Sequence, residues 1–184
     1  TRGPVLLLND WPRDRFLDAS ELDPGNLLAT IHFKGDAICV AADFHGTGRC
    51  DLLLAPAGER PMLIANVTPG GHWIEIDLVG SRTQDNKSRS NGSAIGARVE
   101  IRTGALFQQF VVGSPTGPVS MAPLRIHCGL GENTKVDWLR IIWPDGVLQA
   151  EMELPADRVT RIEEVTRKVS SCPNLFAWDG SHWK

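Results

Sequence analysis

Four side chains with ligating atoms recur at short intervals in the segment DFHGTGRCD, which runs from residue 43 to residue 51. Asp43, His45, Thr47 and Asp51 occupy its first, third, fifth and ninth positions, with glycines between them. Oxygen ligands at such positions would wrap a hard cation, and this spacing predicts calcium as the ion. His45 is a poor calcium ligand and Thr47 offers only a neutral hydroxyl. A hairpin turn closed by its own hydrogen bonds is therefore the alternative interpretation.

The rest of the chain lacks the sequence patterns of common catalytic sites. It contains no G-x-S-x-G elbow, no H-E-x-x-H pair and no P-loop. His127 and Cys128 are adjacent, but neighbouring residues of a strand point to opposite faces and cannot act together as base and nucleophile. Cys128 is predicted to pack in the core. We therefore expect a protein that is not an enzyme.

Tryptophan is the aromatic residue that stands out, with six copies and no tyrosine in the chain. Exposed indole rings can stack on sugar rings, whereas buried ones serve a core or an interface. Trp138 and Trp143 would face opposite sides of one strand, so at least one is predicted to be a core residue. The predicted ligand-binding residues are Trp73, Trp138, Trp143 and Asp145.

Short apolar runs separated by turn residues predict an all-β fold, since the chain has 18 glycines and 12 prolines. In HWIEIDLV, Ile74, Ile76 and Leu78 share one face, which is predicted to be buried. Glu75 and Asp77 share the other face, which is predicted to be solvated. Seven strands of this kind predict a β-sandwich. They are HWIEIDLV, ARVEIRT, LFQQFVV, LRIHC, VDWLRIIW, VLQAEMEL and VTRIEEV.

The first third of the chain has shorter predicted strands, each ending at a turn signal. Their rhythm is typical of a propeller blade. The predicted strands are 5–8, 29–33, 37–42, 51–55 and 62–66.

Charge and composition exclude some partners. The net charge is -3 and no block of Lys and Arg is present, so nucleic acid is not expected as a partner. No apolar run reaches the roughly 18 residues that a membrane span needs, so no membrane insertion is expected. Four cysteines allow three disulfide pairings, or could remain free thiols.

Particular motifs of the chain resemble known families. HWIEIDLVG, NGSAIGARVEI, GLG and VDWLRIIWPDG, in this order, resemble the ASPIC/UnbV domain. AICVAADFHGTGRCDLLLA resembles an FG-GAP or VCBS-type repeat. The resemblance implies an incomplete propeller-blade-like segment over residues 1–66, packed against an ASPIC/UnbV-like sandwich over residues 67–167. Residues 168–184 would begin a following domain or form a C-terminal strand.

The same resemblance implies an extracellular or periplasmic module of a longer parent chain. We expect a non-catalytic binding or adhesion module, with a glycan or an extracellular protein as its ligand and calcium as its candidate ion. Two alternatives stay open. The chain could be an accessory domain of a larger carbohydrate-active or other secreted enzyme, or a structural connector between a propeller and a C-terminal domain.

Overall fold

The computed structural model describes residues 7–9, 16–18, 30–81, 90–117, 120–121, 123–165 and 177–182. The elements in these residues are all strands, which confirms the predicted all-β class. No helix in this part of the chain has the length and apolar character needed to cross a membrane. The strands are β1 (Leu7–Asn9), β2 (Phe16–Asp18), β3 (Ala37–Ala42), β4 (Asp51–Pro56), β5 (Met62–Ile64), β6 (His72–Val79), β7 (Arg98–Thr103), β8 (Leu106–Val111), β9 (Pro115–Gly117), β10 (Ser120–Met121), β11 (Ile126–Gly131), β12 (Lys135–Ile142), β13 (Leu148–Pro155) and β14 (Arg158–Glu163).

The chain divides into two compact units, and the division passes through the sheet β3-β4-β5. The first unit comprises residues 1–39 and 54–62, and the antiparallel pair β1–β2 belongs to it. The second unit comprises residues 40–53 and 63–184. The propeller-blade character of the first 66 residues, and the domain boundaries after residues 66 and 167, remain predictions.

Two main sheets build the second unit. The three-stranded sheet has the order β11-β6-β14, in which β11 pairs antiparallel and β14 parallel with the central strand β6. The four-stranded sheet has the order β13-β12-β7-β8 and is antiparallel throughout. All seven predicted sandwich strands are present as β6, β7, β8, β11, β12, β13 and β14.

The core of this unit draws its apolar side chains from both sheets. On β6, Ile74 and Ile76 are fully buried and Leu78 is nearly so, which confirms the predicted buried face. On the other sheet, alternate residues of β7 and β12 join the same cluster. Apolar faces of two sheets that share one core form a β-sandwich, as the alternation predicted.

Glu75 differs from the expectation that its face of β6 is solvated, and Glu100 on β7 is buried in the same way. Glu75 and Glu100 are each only 7% exposed. Glu75 is paired with Arg125 at 3.3 Å, and Glu100 with Arg140, so each buried carboxylate has a cationic partner. The alternation therefore placed Glu75 away from the core correctly, but its side chain is less solvated than predicted.

In the first third, β1 lies at residues 7–9 instead of 5–8 and β2 was not predicted, and the described cysteines form no bridge. Residues 31–33 of the predicted strand 29–33 are not in a strand, whereas β3, β4 and β5 lie where strands were predicted. Cys39, Cys50 and Cys128 are free thiols, and Cys172 lies outside the described residues.

Truncation of the core should destabilise the fold strongly. Ile76 lies on the central strand β6 and is fully buried. We expect Ile76→Ala to lower the free energy of unfolding by about 2–5 kcal/mol, because it removes apolar contacts and leaves a cavity. Ile95→Ala is the matched control, since Ile95 is 46% exposed and the change should cost less than about 0.5 kcal/mol. Equal losses in urea unfolding would contradict the assigned core.

Candidate functional site

The outer face of the four-stranded sheet turns away from the core and carries aromatic, aliphatic and arginine side chains. Residues 138, 140 and 142 of β12 alternate with the buried residues of that strand, and their cross-strand partners share the same face. We call this surface the outer face. Its three cross-strand rows are Met152–Trp138–Arg102–Phe107, Ala150–Arg140–Glu100–Gln109 and Leu148–Ile142–Arg98–Val111.

An aromatic pair lies in the first row of the outer face. The ring centroids of Phe107 and Trp138 are 6.2 Å apart, and their planes are tilted by 53°. Phe107 is 53% exposed, while Trp138 is half-buried. Arg102 lies between them in the row, and its Nε donates to the carbonyl oxygen of Gly104 at 2.8 Å. Trp138 was predicted from the sequence as a ligand-binding residue and Phe107 was not, because the pairing of β8 with β7 cannot be read from alternation alone.

The second row contains an ion pair that adjoins the aromatic pair. Arg140 Nε donates to a carboxylate oxygen of Glu100 at 2.6 Å. The guanidinium carbon of Arg140 also lies 6.0 Å from the centroid of the Trp138 ring, at the limit of a cation–π contact. These contacts hold polar groups beside the exposed rings.

Two other predicted ligand residues have structural roles. Trp143 is 1% exposed and its indole N–H donates to Gln149 at 3.0 Å, so its ring faces pack in the core and offer no surface for stacking. This burial corrects its place among the ligand-binding candidates. Asp145 lies in the turn after β12, where its carboxylate accepts the Val147 N–H at 3.0 Å. Trp143 therefore cannot share an exposed site with Trp138.

Trp73 lies on β6 of the three-stranded sheet, where it contacts the loop of residues 43–50. Its ring stacks on His127, with centroids 6.2 Å apart and planes within 6° of parallel. A Cβ atom added to Gly48 would come within 2.0–2.3 Å of three indole atoms, so the glycine backbone lies directly against the ring. His127 Nε2 lies 2.9 Å from the Gly48 carbonyl oxygen. Trp73 thus serves mainly as the contact that holds this loop.

The predicted calcium loop is closed by its own hydrogen bonds. Asp43 accepts the backbone N–H groups of Thr47 at 2.9 Å and Gly48 at 2.6 Å. The Thr47 contact therefore comes from its main chain. Among the described residues, no group of three or more His, Cys, Asp and Glu side chains could hold a metal ion. This geometry accounts for the loop as a hydrogen-bonded turn, and calcium binding by Asp43, His45, Thr47 and Asp51 remains a prediction.

Asp51, the second carboxylate of the loop, ties the loop to a neighbouring segment. One oxygen accepts the Asn66 N–H at 2.8 Å, and the other accepts the Phe44 N–H at 3.1 Å and lies 2.8 Å from His45 Nδ1. Asp51 is 1% exposed. The pKa of Asp51 is lowered, chiefly by the Asn66 N–H and then by His45, because these bonds favour the ionised carboxylate.

Cys128 and His127 do not form a catalytic pair. Cys128 is fully buried in the core, and burial raises the pKa of its thiol to about 12. At neutral pH the thiol is protonated and therefore a poor nucleophile. His127 points to the other side of β11, against Trp73.

A polar cavity of about 380 Å³ lies beside Trp73. His72 Nδ1 lies 2.6 Å from Asp157, and the second oxygen of that carboxylate accepts the Trp73 N–H at 3.3 Å. Arg49 and Glu132 also line the cavity. The His72–Asp157 pair joins the turn before β14 to the start of β6, so a structural role accounts for it.

Comparison of two glycines should isolate the contact between the loop and Trp73. Gly46 and Gly48 both have positive φ, but a Cβ at position 46 meets no atom within 4 Å. We expect Gly46→Ala to cost about 1–2 kcal/mol of folding free energy through backbone strain alone. Gly48→Ala should cost about 1–3 kcal/mol more, because the Trp73 ring must move. Equal costs in urea unfolding would show that the ring contact is unimportant.

Acid should weaken the attachment of this loop through Asp51. The folded-state pKa of Asp51 is below its unfolded value, so its stabilising contribution is present above pH about 4 and is lost as the pH falls through the folded pKa. We expect Asp51→Asn to be less stable than the wild type at pH 6 and to lose less stability between pH 6 and pH 3. Thermal unfolding at both pH values measures this difference. An unchanged acid sensitivity in the variant would contradict the assignment.

Comparisons with known proteins bear on less than half of the chain. Residues 87–169 match the family model described as ASPIC and UnbV, a range that contains β7 to β14 but not the central strand β6. No curated protein matches the chain. The FG-GAP or VCBS-type repeat in the first third remains a prediction. Residues 87–169 are thus similar to the ASPIC and UnbV family, and this similarity indicates an accessory domain of a larger protein.

Proposed function

We propose that the chain is a non-catalytic accessory module that binds carbohydrate through the outer face. The aromatic pair of exposed Phe107 and half-buried Trp138 carries this proposal. Sugar rings have apolar faces that pack on indole and phenyl rings, and Trp is well suited to this because it joins a large apolar area to a polar edge. A half-exposed phenyl ring beside a tryptophan on a sheet surface is available for such packing.

The geometry of the pair favours a twisted or flexible chain over a flat surface. Because the two rings are tilted by 53°, they do not form one plane. Successive sugar units that rotate relative to one another could each meet one ring. Gln109 and Arg140 lie in the adjacent row, where Gln109 offers a donor and an acceptor and Arg140 offers donors for hydroxyl groups.

This proposal agrees with the role of an accessory domain. It also explains surface features that the alternative of a structural connector does not explain. A pure connector has no use for an exposed Phe107 beside an ordered ion pair on a sheet face. The alternative of an accessory domain attached to an enzyme is compatible with this proposal, because such a domain could hold the polysaccharide substrate of that enzyme. An extracellular or periplasmic location, where polysaccharides are encountered, belongs to the same proposal. Calcium has no part in this binding mechanism, since the loop of residues 43–50 contacts the other sheet.

Affinity gel electrophoresis with soluble polysaccharides tests the proposal. A panel of β-glucan, xylan, galactomannan, pectins, alginate and chondroitin sulfate should include at least one polymer that retards the protein. We expect Trp138→Ala to weaken that retardation by about tenfold or more, because loss of ring packing costs on the order of 1.4 kcal/mol.

Trp178→Ala provides the matched control, because Trp178 is also exposed, at 55%, but is not in the outer face. It should leave retardation unchanged. Equal weakening by both variants, or no retardation by any polymer of the panel, would refute the proposed function.

A further inference from the structure

We infer that the carbohydrate bound by the outer face is acidic, a polysaccharide that carries carboxylate or sulfate groups. This inference rests on the proposed function and names the chemical class of its ligand. It follows from the distribution of charge over the three rows of the outer face.

The outer face is cationic although the chain as a whole is anionic. Its twelve positions include three arginines and one glutamate, whereas the net charge of the chain is -3. The glutamate, Glu100, is buried and paired with Arg140, so these two charges offset each other. Arg98 and Arg102 remain, and among the described residues no carboxylate is paired with either of them. The face therefore offers two cationic groups to a ligand.

Arg102 is placed to act together with the aromatic pair. It is the cross-strand neighbour of both Trp138 and Phe107. The bond from its Nε to the Gly104 carbonyl oxygen restrains the guanidinium group beside the two rings. A sugar ring that packs on either aromatic side chain would bring a substituent acid group within reach of this arginine. Guanidinium binds carboxylate and sulfate oxygens through paired, charge-assisted hydrogen bonds.

Arg98 extends the cationic surface along the same strand. It lies four residues from Arg102 on β7, which corresponds to about 13 Å in an extended strand. Ile142 and Val111 flank Arg98 in the third row, as Trp138 and Phe107 flank Arg102 in the first. Two arginines at this separation, each between apolar side chains, suit a polymer with repeated acid groups better than a single small anion.

The overall negative charge of the chain favours contact of an acidic polymer through the outer face over contact through the rest of the surface. An acidic polymer is repelled by the net charge of -3 and attracted locally by the outer face, so the field favours contact through this surface. Binding that uses these charges must weaken as salt is added, because the salt screens them.

Matched polymers separate acidity from sugar-ring packing. Polygalacturonate and highly methyl-esterified pectin share a backbone, and chondroitin sulfate can be compared with its chemically desulfated form. Affinity electrophoresis at low salt should show retardation about tenfold stronger with the more acidic member of at least one pair, as expected for a charge-assisted contact. The difference should fall when salt is raised.

Two arginine variants test which surface is responsible. Arg102→Gln should remove most of the preference for the acidic polymer and retain binding to its less charged counterpart. Arg158→Gln makes the same change in charge on β14, outside the outer face, and should preserve the preference. Equal effects of the two variants would mean that only net charge matters, and would overturn the inference.

The remaining outcomes distinguish the inference from the function on which it rests. Equal retardation by both members of each pair, still lost in Trp138→Ala, would refute an acidic ligand and leave the carbohydrate-binding function standing. Retardation by no polymer of the panel would refute both.

Discussion

The contact between the Gly48 backbone and the Trp73 ring is the constraint on which the second unit depends. It places the loop of residues 43–50 against the side of the three-stranded sheet that faces away from the core. The central strand β6 therefore packs on the core with one side and contacts this loop through Trp73 on the other. Glu75 lies on the same side of β6, where it is buried and paired with Arg125.

The same arrangement separates three tryptophans that look alike in the sequence. Trp73 is used to hold a loop, Trp143 fills the core, and Trp138 is partly open on the outer face. The two sheets thus differ in the side chains that they expose to solvent. The loop of residues 43–50 lies against part of one sheet, where Val159 of β14 stays 45% exposed, while the other sheet presents Phe107, arginines and aliphatic side chains at its surface. A binding role fits the second sheet for this reason.

The strands of the sandwich and the sandwich class itself could be predicted from the sequence, because alternation with period two indicates which side chains face the core. The sequence predicted that at least one of Trp138 and Trp143 would be buried. Which of the two is buried depends on the position of the facing sheet, and no pattern in the strand itself records that position. Glu75 was expected in solvent because nothing in its own strand reveals its burial or its pairing with Arg125, 50 residues later. The outer face was missed as a set since its rows join residues from β13, β12, β7 and β8. Long-range pairing of this kind cannot be derived from periodicity.

The parallel pairing of β14 with β6 also bears on how the chain is made. Arg158 is opposite Ile74, and the other neighbour of β6, β11, begins at Ile126. During synthesis, β6 emerges long before either partner and exposes its backbone and apolar face in the meantime. Contacts between segments so distant in sequence form slowly, since a long loop must close first. We therefore expect the sandwich to complete its fold only after β14 has left the ribosome, with β6 as its most aggregation-prone segment until then.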